Sequence, residues 1–265
     1  MNSSSDRQDF PWWLLATVLI GAYLAFRIVT DELYAPIFAI ISKGIGITIF
    51  VTLVAFTLAC IIGILLALAG LSNSLWLRQF ARFYIEIIRG IPVLVLLFYI
   101  AFVGAPMLVA GYNAVAEFVG FSPIRVRDIS LLWRAILALT IAYSAFIAEV
   151  FRAGIQAVDG GQIDAAKALG MSRWYRFRLI VLPQAFRTIL PPLGNDFIAL
   201  IKDSSLVSVL GVADITQLGK IYAAGSFRFF ETYNIVAYVY LLMTVSLSLL
   251  LRRLERHIDH NRRIE

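Results

Sequence analysis

This chain of 265 residues is poor in the side chains that carry most enzyme chemistry, with one cysteine, Cys60, and two histidines, His257 and His260. A lone cysteine forms no internal disulfide, and in a charge-free stretch it reads as a small packing residue. The two histidines share a helical spacing but sit in a charged tail without a third ligand, which describes a solvated tail rather than a metal site. No serine, cysteine or histidine constellation suggests nucleophilic catalysis. A phosphate-binding loop is missing as well: the only Gly-Lys pair, Gly219-Lys220, is followed by Ile221, and Asp214 stands where the first glycine is needed. Charge is scarce throughout, at 15% of residues against 60% hydrophobic, and the mean hydropathy is +0.83. Such a chain is too apolar to hide its side chains in one soluble domain of this length.

What is present is long apolar sequence. Phe10 to Phe26, Gly44 to Leu77, Ile91 to Ala116 and Thr232 to Leu251 contain no Asp, Glu, Lys or Arg, and a membrane span needs about 20 mainly apolar residues. Two further stretches are less clean. Ile129 to Ala148 holds Arg134 near one end, where a long side chain would snorkel, and Arg187 to about Leu210 holds Asp196, Lys202 and Asp203. The pattern predicts an all-α polytopic bundle of six transmembrane helices. Gly70 to Arg89 is amphipathic, with Leu75, Phe80, Tyr84 and Ile87 set among Arg78, Arg82 and Glu86, and suits a helix near one membrane face; Gly90 and Pro92 mark the boundary before the next span.

The cations give an orientation, because Lys and Arg near span ends stay on the cytoplasmic side. With the N-terminus inside, the three later inner segments hold thirteen Lys and Arg residues, and the three outer loops hold less than half as many. Both termini are expected in the cytoplasm. The net charge of +6 then reflects topology and anionic lipid headgroups, not nucleic acid, for which no groove-reading motif is present. The first span resembles a signal peptide in length, yet Arg7 is offset by Asp6 and Asp9 and no small-residue cleavage site follows Ala25, so it reads as an uncleaved anchor. Trp12 and Trp13 are expected at the inner interface and Tyr34 at the outer one.

One polar segment interrupts this pattern. In Gln162 to Pro183, Asp159 or Gly160-Gly161 would open a short helix with Asp164 in its first turn, and Ala165 and Ala166 would keep that helix thin enough for close approach by a partner. Gly170 fits the left-handed closing residue, and Ser172 fits the N-cap of a second helix running to Leu182-Pro183. This αα-hairpin predicts a docking element between two spans.

The segment resembles the cytoplasmic "EAA" loop of permease subunits of bacterial ABC importers, with Asp164 in place of the glutamate, Gly170 four residues after Ala166, and Leu182-Pro183 downstream. "IRGIP" at Ile88 to Pro92, "AEVFRAGIQAV" at Ala148 to Val158, "LPQAFR" at Leu182 to Arg187 and "LPPLGNDFIALIKDSSLVS" at Leu190 to Ser208 are similar to the polar amino acid permease family. The resemblance covers roughly residues 44 to 251. It implies a five-helix type I importer domain over 44–251, a coupling loop at about 157–183, an added N-terminal anchor in 1–43 and a basic tail in 252–265. It also implies partners: a cytoplasmic ABC ATPase dimer, a second permease copy or paralogue, and an extracytoplasmic amino-acid-binding protein. ATP and Mg would bind the ATPase, and this chain would carry no cofactor and perform no hydrolysis. The cargo would be a polar or charged amino acid, with another small solute as the alternative.

Ionisable groups inside a bilayer point to where cargo passes, since each costs several kcal/mol unless paired or wetted. About nine residues from Arg187, at 1.5 Å each, place Asp196 near the midplane. Pro191, Pro192 and Gly194 would loosen the helix just before it. A seven-residue offset aligns Asn195 with Lys202 and Asp196 with Asp203, followed by Ser204, in two adjacent stripes that would hold an amino acid's charged ends. The competing interpretation is a salt-bridge network of Asp196, Lys202, Asp203, Glu149 and Arg152 that packs or gates the bundle. Glu149 and Arg152, at i, i+3, are expected to pair locally. A membrane-embedded enzyme lacks its acid, base or metal cluster here, a passive channel gives no reason for a docking loop, and an exporter would place its coupling segments on long helix extensions.

Overall fold

The computed structural model describes residues 12–262, and every regular element among them is helical. The readings that rest on Asp6, Arg7, Asp9, Phe10 and Arg263, and on the side chains of Trp13, His257, His260 and Arg262, fall outside what is described.

Helix α1 (Trp12–Thr30) is apolar to Arg27, leaves Val18, Leu19, Phe26 and Val29 exposed, and packs on α2 (Tyr34–Ile41) and α12 (Phe229–Arg262). It lies at the edge of the bundle. Its end is held by an ion pair between Arg27 Nη2 and Asp31 Oδ2 at 2.5 Å, and the Arg27 guanidinium lies 5.0 Å from the centre of the Tyr34 ring. Tyr34 is buried with Ile37, Ile41, Ile215 and Ile235, so it anchors a core cluster rather than standing in an exposed aromatic belt. From Tyr34 the chain stays helical through a 3₁₀ turn at Ser42–Gly44 and α3 (Ile45–Gly70), passing through the boundary drawn at residue 43. At the turn, a Cβ on Gly44 would lie 2.4 Å from the Ile215 backbone nitrogen and 2.5 Å from the Asp214 carbonyl carbon. Only glycine lets the two backbones meet there.

Helix α7 (Leu131–Gln156) is the hub, and two-thirds of its apolar window is buried, 67% against 33% or less in the other long apolar helices. Its Ala135, Ala138, Ala142, Ala145 and Ala148 turn a small-residue face to its neighbours. Small side chains let helix backbones approach closely where both surroundings are apolar. Val51, Ala55 and Ala59 of α3 pack there with Leu96 and Leu97 of α5 (Val93–Tyr99) and with Leu200 of α10 (Leu182–Asp203). The amphipathic stretch forms α4 (Leu75–Gly90), which lies against α3 and α7, and Tyr84 Oη shares a 2.8 Å hydrogen bond with Ser144 Oγ. Ile91 is extended and Pro92 caps α5, the boundary the sequence marks.

A π-turn at Ile100–Gly104 joins α5 to α6 (Ala105–Val119). Arg134 does not snorkel outward. It is buried and donates to the Ala101 carbonyl at 3.2 Å, to Ile129 O at 2.9 Å and to Val126 O. A π-turn misaligns backbone acceptors, and a guanidinium with its forked donors can satisfy several of them at once.

Four segments, Tyr34–Gly70, Val93–Val119, Leu131–Gln156 and Phe229–Arg256, are long and apolar enough to cross a membrane. The first expected span is a shorter apolar helix, Leu15–Thr30, and α10 is too polar to count by composition. The predicted all-α bundle is therefore present, and four of its six predicted spans coincide with helices long and apolar enough to cross a membrane.

Candidate functional site

The docking segment folds as its caps dictate. Helix α8 (Gly160–Ala168) opens on Asp159, whose Oδ1 accepts from Gly161 N at 2.6 Å and Gln162 N at 3.2 Å. It closes on Gly170 at φ +75°, with Gly170 N donating to Lys167 O at 2.9 Å and Met171 N to Ala166 O at 3.1 Å. That pair of bonds is the Schellman motif, which satisfies orphan carbonyls through one left-handed residue. A Cβ at Gly170 would meet nothing within 4 Å, so the backbone angle alone asks for glycine. Ser172 Oγ then accepts from Tyr175 N at 3.4 Å and starts α9 (Arg173–Arg176).

Two details differ from expectation. Asp164 stands in the second turn, beyond the reach of the helix N-terminus, and pairs with Lys167 at 2.6 Å while both side chains stay open, 72% and 54% exposed. The Lys167 ammonium, first by its hydrogen bond and then by its charge, holds the Asp164 carboxyl below its ordinary value. Ala165 is exposed, but Ala166 is buried and faces the protein's own interior. Only one of the two alanines is free for a partner. The open side of the hairpin also presents Leu169, Trp174 and Tyr175. Its inner side is fastened: Gln184 Nε2 donates to Gln162 Oε1 at 2.6 Å, and Ile163 packs on the Val158, Ala185 and Ile189 cluster between α7 and α10.

The second predicted helix does not stop at Leu182-Pro183. It continues through a π-turn at Phe177–Val181 into α10, with Pro183 directly after the π-turn. Nor do Pro191 and Pro192 interrupt α10, which stays helical to Asp203 and then tightens to 3₁₀ geometry over Ser204–Leu210. Ile189 and Leu193 pack against α7 on either side of the prolines, and such packing preserves a helix that has lost two N–H donors.

Along α10 the seven-residue offset is visible in exposure: Asn195 and Lys202 are exposed, while Asp196 and Asp203 are half-buried. Asp203 Oδ2 accepts from Tyr143 Oη at 2.8 Å. Asp196 Oδ2 is shielded without a hydrogen-bond partner. Ser204 is buried and turns its hydroxyl back to Ile201 O at 2.7 Å. The five candidate pathway residues therefore do not converge on one point. The five-membered salt-bridge network is not formed either: of its members only Glu149 and Arg152 pair with each other, and Arg152 also donates to Gln156 Oε1 at 3.0 Å. Sequence reasoning missed Tyr143. It also missed the stacking of Arg89 over Phe146 at 5.6 Å, with Phe146 6.0 Å from Tyr143. Neither contact has a local signature, because each joins residues separated by dozens of positions or placed on different helices.

The described residues thus form an α-helical bundle in which a capped, exposed hairpin runs on into a helix carrying Asp196, Lys202 and Asp203. The chain belongs to the family of binding-protein-dependent transport system inner membrane components, whose model matches residues 59–264. It is 36% identical over 225 residues to the probable amino-acid permease protein YxeN of Bacillus subtilis (strain 168), covering 85% of this chain and 94% of that one. The glutamine transport system permease protein GlnP of Escherichia coli (strain K12) is 34% identical over 223 residues, 84% of this chain and 94% of its own. Among solved structures, the crystal structure of an amino acid ABC transporter with histidines matches with a TM-score of 0.70 at 37% identity, over 87% of this chain and 98% of its own. The MetNI methionine ABC transporter, at 20% identity and a TM-score of 0.64, shares the fold.

Proposed function

We propose that this chain is the pathway-forming permease of an ATP-driven uptake system for a polar or charged amino acid. The observation that carries the reading is the α8 hairpin, capped at both ends, open on one side and continuous through α9 with the helix that holds Asp196. The names of the relatives supply the amino acid. Two copies, or one copy and a paralogue, would sit in the bacterial inner membrane with both termini and the hairpin in the cytoplasm. Two ABC ATPase subunits would hold ATP and Mg, and an extracytoplasmic binding protein would deliver the cargo. Asp164, Ala165, Gly170 and the Leu182-Pro183 entry to α10 are assigned to ATPase coupling, with Ala166 holding the inner face. Asn195, Asp196, Lys202 and Asp203 are assigned to the pathway, Ser204 to its wall, and Glu149 with Arg152 to a structural pair. Closure of the ATPase pair would displace α8, and the helices behind it would convert that displacement into alternate opening of the pathway.

ATPase activity of the reconstituted complex, with and without binding protein and a panel of polar amino acids, tests this. One amino acid is expected to stimulate hydrolysis in the wild type, and Gly170→Asp is expected to abolish the stimulation while the permease still inserts. Asp196→Asn is expected to change the substrate response without releasing the ATPase. Failure of any ATPase to associate with the wild-type chain overturns the reading.

A further inference from the structure

A cleft of about 440 Å³ opens between α3, α4 and α7, at the end of α7 that leads into the docking hairpin. Its size lies within the roughly 300–1,000 Å³ of small-molecule sites. Leu66, Ala81 and Ile85 form a buried apolar floor. Around the floor stand Arg82 and Glu86 of α4 and Glu149, Arg152 and Gln156 of α7. Two other cavities along the bundle, one beside Thr52 and Met243 and one beside Gly194 and Leu254, are lined almost wholly by apolar side chains.

The charges of the cleft divide into two kinds. Arg152 is committed to Glu149 and Gln156. Arg82 and Glu86 are i, i+4 neighbours and both line the cleft, yet among the described residues neither forms an ion pair. Their order, cation before anion along the helix, is the weaker orientation for an i, i+4 pair. The cleft thus offers one uncommitted cation and one uncommitted anion above an apolar floor, which is the complement of a small zwitterion.

We propose that this cleft is a second binding site for a free amino acid, its α-carboxylate received by the Arg82 guanidinium, its ammonium by the Glu86 carboxylate, and its side chain laid on Leu66, Ala81 and Ile85. An arginine fork matches a carboxylate through two parallel hydrogen bonds. Occupancy would bridge α3 to α4 beside the end of α7 that leads into the docking hairpin, so the site is placed to report amino acid on the coupling side of the membrane. The inference rests on the amino acid importer reading. A zwitterionic lipid headgroup shares the chemistry, and the test separates the two sources.

The experiment is equilibrium binding of radiolabelled L-glutamine and L-arginine to the full permease–ATPase complex in nanodiscs free of phosphatidylethanolamine, alongside binding-protein-dependent uptake of the same amino acids in proteoliposomes. The expected result is that Arg82→Ala and Glu86→Gln each weaken one class of sites by about tenfold or more, the loss of at least one charge-assisted hydrogen bond. Uptake is expected to continue in both variants. Wild-type binding in both variants overturns the proposal. Absence of that class of sites without phosphatidylethanolamine, together with Arg82-dependent co-purification of that lipid when it is present, overturns it in favour of a headgroup site. No uptake of either amino acid by the wild type counts against the importer reading and removes this inference with it, whereas uptake with no Arg82-dependent binding removes this inference alone.

Discussion

At the scale of single residues, two glycines are required for different physical reasons, and the difference is measurable. Gly170 is set by its φ of +75° in open space, so Gly170→Ala is expected to cost about 1–2 kcal/mol through backbone strain alone. The loss should appear as faster amide exchange over α8 with little change elsewhere; unchanged exchange would show that the hairpin keeps its shape without the left-handed residue. Gly44 is set by close approach, so Gly44→Ala must move α11 (Ile215–Ser226) and its Asp214 cap, while Gly46, with nothing within 4 Å, has room. Overpacking of about 1–3 kcal/mol is expected at Gly44 and not at Gly46, read from paired thermal midpoints in detergent. Asp164 supplies a pH prediction. Its folded value is depressed by Lys167, so the pair's stabilisation is present above the ordinary carboxylate range and is lost as pH falls through the lowered value. In a carbon-detected NMR titration Lys167→Gln should move the Asp164 midpoint upward. The effect on global stability should be negligible, since the pair is open to solvent.

At the scale of elements, the π-turn of Ile100–Gly104 depends on a residue from another helix. Replacing Arg134 by Met keeps much of its length but leaves Ala101 O, Val126 O and Ile129 O without these donors. An unsatisfied buried acceptor costs about 1–3 kcal/mol, and Arg134→Met is expected to lower the thermal midpoint while Arg134→Lys restores part of it. Equal midpoints for Met and wild type would mean that those carbonyls find other donors. The sequence was legible where structure is local: Asp159, Gly170 and Ser172 cap helices, Gly90 and Pro92 mark a boundary, and Glu149 pairs with Arg152. It misled where packing overrides local preference. Pro191 and Pro192 suggest a loosened helix, but contacts of Ile189 and Leu193 hold α10 together, and Arg134 finds acceptors inward instead of a path to the headgroups. Tyr143 and Asp203 meet across 60 positions of chain, and no periodicity encodes such a meeting.

At the scale of the whole molecule, burial is concentrated along α7, and α1 lies at the margin with most of its large side chains outward. Removal of residues 1–31 from a chain inserted by another signal is expected to shift the thermal midpoint by less than about 4 °C, the effect of about 1 kcal/mol in a protein of this size. A larger loss would make α1 part of the fold's core. The run from Arg173 to Asp203 has a mechanical meaning of its own, because it is helical from the docking hairpin to the charged interior with no break at its three prolines. Thirty-one residues at 1.5 Å make a rod about 45 Å long. Pivoted at its centre, such a rod turns a tilt of about 10° into opposite shifts of about 4 Å at its two ends. The prolines at 191 and 192, lacking the N–H groups that would stiffen the upper arm, mark where that lever is softest.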